Sequence, residues 1–158
     1  MKKALTPSLL ILVPAIIFSA CGKNKSEEIP HLVAETPEQL MAVTEAAYRK
    51  GDQHTILSYS NLSETPDEFV EVLAMVLSMG AGEQNTTTEK KITAWSEFSN
   101  PSGIPGNWKG KELEFSHDPL GVISISSKGN GGSNSYNIDL AYYQDDLGYR
   151  FCGIKYKN

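Results

Sequence analysis

The chain has 158 residues, with 14 Lys and Arg against 19 Asp and Glu, for a net charge of −5. Without residues 1–20, whose only charged side chains are Lys2 and Lys3, the balance is 12 against 19, or −7. That charge excludes the clustered cations a nucleic-acid partner requires, and the length that remains suits one domain rather than two.

The first segment in chain order is apolar. Met1-Lys2-Lys3 precedes a run from Leu9 to Phe18, interrupted by Pro14 and closed by Ser19-Ala20-Cys21. The run is about half of the ~20 residues a membrane-spanning helix needs. A basic start, a short apolar centre and small residues at its end describe an export signal. Phe18-Ser19-Ala20-Cys21 resembles the lipobox of bacterial lipoproteins, with Phe18 where Leu is more usual. The resemblance implies cleavage before Cys21, a lipid on its thiol, and an envelope location. By the sorting rule that the resemblance implies, Gly22 rather than Asp after the cysteine favours the outer membrane, facing the periplasm, in a cell that has one. Two or more acyl chains anchor a protein stably, at about 0.8 kcal/mol per buried methylene, so no transmembrane helix is needed. Residues 1–20 are thus expected to be the signal peptide and residues 21–32 a flexible tether. Residues 33–158 are expected to form a single domain.

Two stretches, Glu35-Thr36-Pro37-Glu38-Gln39 and Glu64-Thr65-Pro66-Asp67-Glu68, each place Thr at an N-cap and Pro at the first helical position. Gln39 and Glu68 stand where a capping box needs them. The first helix is predicted over 37–50, stopped by Gly51. Asp52 caps a short second helix through Ile56, Leu57 and Tyr59. The third runs over 66–79 and ends at Gly80 and Gly82. Phe69, Val70, Val72, Leu73, Met75, Val76 and Leu77 leave it little polar face, so it is expected to be the most buried helix.

Beyond Gly82 the period becomes two. Ile92, Ala94, Ser96 and Phe98 share a face of one strand, and Trp95 lies opposite. Residues 99–110 read as loop. Leu113 and Phe115 alternate with Glu112 and Glu114, and Val122–Ser127 forms a further strand. Gly129-Asn130-Gly131-Gly132 reads as a hairpin loop. Tyr136, Ile138, Leu140 and Tyr142 then share one face, and the last strand is predicted from Tyr149 to Lys157. Helices followed by an antiparallel meander give an α+β fold. Three N-terminal helices pack on a curved antiparallel sheet of about four to five strands, because a sheet with one apolar face must cover it.

Residues 46–60, AAYRKGDQHTILSYS, and the chain end YYQDDLGYRFCGIKY resemble the helix junction and final hairpin of the nuclear-transport-factor-2-like, cystatin-like cone superfamily. Tyr149 stands where Trp is common. The resemblance spans residues 33–157. It implies a pocket between sheet and helices, a domain type carried by bacterial lipoproteins of unknown function, and relatives that include isomerases and dimers formed through the sheet.

The chemistry is sparse. No acid–base dyad can be placed: Asp139 is the one acid within the fourth strand, and its alternation turns it from the apolar face. His31, His54 and His117 lack metal-ligand spacing, so no metal or cofactor is expected. Tyr136 and Tyr142 on the sheet, with Phe69 and Leu73 on the third helix, are the candidate ligand contacts, and core packing is the competing role for the tyrosines. Cys152 reads as a small buried hydrophobe, or, with Arg150 on the same face, as a reactive thiol. Trp95 and Trp108 mark either a partner surface or a covered sheet. These features predict a non-catalytic domain that binds a small apolar ligand or an envelope protein. An isomerase- or hydrolyase-type enzyme and a homodimeric structural subunit are the alternatives.

Overall fold

A computed structural model describes residues 29–79, 86–99, 106–128 and 135–158. Cys21, the glycines after the third helix, the 129–132 loop and the side chain of Tyr136 lie outside the described part. The fold is α+β: three helices, then strands in two antiparallel sheets.

Helix α1 spans Pro37–Lys50. The Gln39 N–H donates to Thr36 Oγ1 at 3.1 Å, and the Gln39 amide oxygen accepts from the Glu35 N–H at 2.7 Å. That return bond reaches one residue further back than a standard capping box. Gly51, at φ 70°, closes the helix in the left-handed conformation that glycine adopts without penalty. Asp52 caps α2, Gln53–Ser58, through the Thr55 N–H and hydroxyl, and these two bonds hold its carboxyl below the usual range.

Helix α3, Asp67–Met79, begins differently from its sequence echo. Thr65 Oγ1 accepts from the Ile154 N–H at 3.2 Å, and Glu68 is taken by Lys109 and Tyr156. Both halves of the expected box are spent on the final strand and a neighbouring turn. The expectation that α3 is the most buried helix also fails. Met75 is 54% exposed and Val76 42%, while Leu40, Thr44, Ala47 and Tyr48 of α1 are all buried. Only parts of α3, notably Phe69 and Leu77, are pressed into the protein.

Strands β1 (Thr86–Ala94), β2 (Asn107–Trp108), β3 (Lys111–Phe115), β4 (Gly121–Lys128), β5 (Ser135–Asp145), β6 (Gly148–Phe151) and β7 (Ile154–Tyr156) form sheets ordered β1-β4-β5-β6 and β2-β3-β7. Two strands depart from the sequence pattern. The first ends at Ala94, not Phe98: the Trp95 N–H turns to the Leu120 carbonyl, and its ring stacks on Phe98 and meets Phe115 edge-on. β2 lies within the expected loop. Lys109 at φ 49° and Gly110 at φ 80° form a two-residue hairpin that pairs Trp108 with Lys111. Positive φ at both positions is the turn geometry that matches strand twist.

The last predicted strand is cut in two. β6 pairs with β5 and β7 with β3. At the break, the Cys152 N–H reaches Ala141 O in the first sheet, while Gly153 O accepts from the Ser116 N–H beside the second. Gly153 makes the crossing possible because a Cβ there would stand 2.1 Å from the Asn61 carbonyl oxygen. The outer edge of β6 is covered by Ala34 on one stretch and Ser60 on the next, which leaves little of it open to pairing with another chain.

The main core lies between α1, α2 and the inner face of the four-stranded sheet. Leu40, Tyr48, Ile56 and Leu57 meet Ile123, Ile125, Ile138, Tyr142 and Phe151. Register places Ile92, Ile123 and Leu140 on one inner rung. The next rung, Lys91, Ser124 and Asp139, faces the other way.

Candidate functional site

Where the chain leaves β5 at the end of β6 and joins β3 as β7, the two sheets part, and α3 roofs the gap. The result is a cavity of about 380 Å³. Its walls include Leu62, Phe69, Leu73 and Val76 from the helical side and Trp108 and Leu140 from the strands. The volume falls in the range of small-molecule pockets, as does a mostly apolar wall with few polar groups.

The aromatic wall is held in place. The Phe69 ring meets Trp108 edge-on at 5.3 Å and Tyr156 at 5.9 Å. Glu68, one residue before Phe69, binds the Lys109 amine at 2.7 Å and the Tyr156 hydroxyl. Lys109 first, and Tyr156 second, lower the Glu68 carboxyl, and the same contact raises the Tyr156 phenol. This exposed cluster fastens the start of α3 to the tip of the β2–β3 hairpin and to β7.

Several polar groups at the cavity are already committed, while the buried Trp108 Nε1–H has no hydrogen-bond partner. Ser60 donates to Ile56 O, and Thr65 accepts from Ile154. Asp139 contributes to the wall, with Ser124 donating to one carboxylate oxygen at 2.5 Å and Asn137 to the other at 3.1 Å. Burial pushes the Cys152 thiol up to about 12. A thiol so placed is almost wholly protonated at neutral pH and is a poor nucleophile. Arg150, the cation that would have activated it, is paired with Asp145. Burial raises the Asp145 carboxyl, but Arg150 and the Leu147 and Gly148 N–H groups outweigh it and leave it lowered.

Of the sequence-derived candidates, Phe69 and Leu73 line this cavity. Tyr142 is placed elsewhere, buried in the main core beside Tyr149, with its phenol raised first by burial. Tyr136 pairs by its backbone with Ser127. Trp108, Leu62 and Leu140 belong to the wall without having been singled out as ligand contacts. The Lys109-Gly110 pair was the available signal for the hairpin that carries Trp108. On the outer face of the four-stranded sheet, His117 stacks on Tyr143 at 4.0 Å, and the Tyr143 hydroxyl accepts from Asn61.

Among the described residues, no group of three or more His, Cys, Asp or Glu could hold a metal ion. None of the described helices is long and apolar enough to cross a membrane. No protein-family model matches the chain, and no match was found among curated proteins or solved structures.

Proposed function

We propose that this chain is an envelope lipoprotein, moored through lipidated Cys21 to the outer membrane on its periplasmic side, whose cone-like domain holds a small apolar molecule without transforming it. The observation that carries the binding reading is the apolar cavity between α3 and the diverging sheets. The helices packed on one sheet face, with the final strand closing the wall, support a cone-like arrangement. A non-catalytic role fits the two ionisable groups at the wall. Asp139 is tied to Ser124 and Asn137, and Cys152 is held protonated.

Two experiments test the two halves. A palmitate analogue fed to expressing cells should label the wild type and miss Cys21→Ser; equal labelling of both would end the anchor reading. For the cavity, residues 21–158 bearing Cys21→Ser, the processed chain without its lipid, are titrated with 1-octanol. The Tm should rise with concentration, as it must when a ligand binds the native state alone. A Tm that stays flat or falls up to the solubility limit would overturn the binding reading.

A further inference from the structure

The apolar cavity reaches solvent on one side. Of the residues that line it, only Val76 on α3 and Asn107 on β2 are exposed, so it opens between that helix and that strand. Trp108, beside Asn107, lines it too. Glu68, Val72 and Val76 recur every four residues along one side of α3. Val72 and Val76 line the cavity, so Glu68 stands at one end of the stripe that borders the opening.

β2 is lightly held. It is two residues long, lies at the edge of its sheet and, among the described residues, pairs with β3 alone. The buried Trp108 Nε1–H has no hydrogen-bond partner, so an indole that swings outward breaks no bond of its own and gains one from water. Two contacts keep it against α3. Its ring meets Phe69 at 5.3 Å, and the next residue, Lys109, pairs with Glu68 at 2.7 Å. That pair is open to water on both sides, with 69% of the Lys109 side chain exposed and 38% of Glu68, and exposed pairs hold weakly. The other Glu68 oxygen accepts from Tyr156 on β7, which β3 fixes, so the carboxylate stays in place when Lys109 lets go.

We propose, resting on the binding reading above, that β2 with Trp108 is the gate of the cavity and that Glu68, through Lys109, is its latch. Neither Glu68 nor Lys109 lines the cavity, so the ligand's contacts in the closed form are the same with the latch or without it. Removing the latch therefore changes how fast a ligand enters and leaves, and leaves its affinity as it was.

The test uses residues 21–158 bearing Cys21→Ser, with Glu68→Ala or Lys109→Met added. Exchange of the Trp108 indole proton with water, followed by NMR without ligand, should speed on the order of tenfold in either variant, the effect of losing one charge-assisted hydrogen bond. The Trp95 indole, stacked on Phe98, is the control and should not change. Association and dissociation of 1-octanol, read from line shapes, should rise by one common factor, so that Kd stays within about twofold. Unchanged exchange at Trp108 would overturn the latch. Faster exchange there with unchanged octanol rates would overturn the gate, because the alcohol then enters elsewhere. Weaker binding with association unchanged would make Glu68 part of what holds the ligand, and would overturn the proposal as well. If 1-octanol fails to bind the protein that keeps Glu68 and Lys109, the binding reading itself falls and the gate with it.

Discussion

Gly153→Ala is expected to destabilise the protein by about 3 kcal/mol or more, the upper end of what overpacking costs. The reason is space. The added Cβ would stand 2.1 Å from the Asn61 carbonyl oxygen and 2.5 Å from Thr65 Oγ1. One neighbour is backbone and cannot swing aside. If Asn61 moves, it carries with it the N–H that donates to Phe151 O at 2.9 Å and the amide that donates to Tyr143 at 3.0 Å. If Thr65 moves, the Ile154 N–H loses its acceptor at the first residue of β7. Either response pulls β6 and β7 out of register with their sheets. Gly110→Ala is the contrast: nothing lies within 4 Å of its Cβ, and the strain of φ 80° costs about 1 kcal/mol. Urea unfolding of the three proteins, compared at equal m, measures the difference. Equal losses from the two substitutions would show that the strand crossing is not close-packed.

Leu73→Trp is expected to weaken 1-octanol binding about two-hundredfold while leaving the protein folded. Leu73 points into the space between α3 and the strands, so an indole there occupies volume the ligand would use. Each methylene kept from the cavity forfeits about 0.8 kcal/mol, and loss of four gives that factor. The added bulk enters empty space rather than the filled core around Ile123 and Tyr48, so Tm should shift by only a few degrees. A titration of both proteins under the same conditions reads the effect. Unchanged affinity in the variant would place the alcohol elsewhere.

The sequence was most informative where local signals agreed. Thr36, Pro37 and Gln39 before a helical stripe, with Gly51 after it, set both ends of α1. Alternation identified β4 and the inner face of β5. It failed where long-range contacts decided. Thr65 and Glu68 repeat the pattern of Thr36 and Gln39, yet Ile154, Lys109 and Tyr156 claim them. No local pattern distinguishes a free cap from one with a distant competitor. The final strand reads as continuous because Cys152-Gly153 breaks no period of two. What splits it is the crowding at Asn61, some 90 positions earlier in the chain.

The cavity was half legible for the same reason. An almost wholly apolar third helix pointed to Phe69 and Leu73, but periodicity reports which residues are apolar and not how tightly they are covered. Val76 is exposed although it lines the cavity, and Met75 lies outside that wall. Tyr142 shared the alternation of Leu140, yet it sits beyond the divergence, where β6 still covers β5, and its ring is core.

Crystals of the processed chain under xenon pressure test for an open apolar space between α3 and the diverging strands. Dry apolar cavities take up xenon. Xenon density is expected among Phe69, Leu73 and Leu140. Side chains filling that volume, or ordered water in place of the gas, would contradict it.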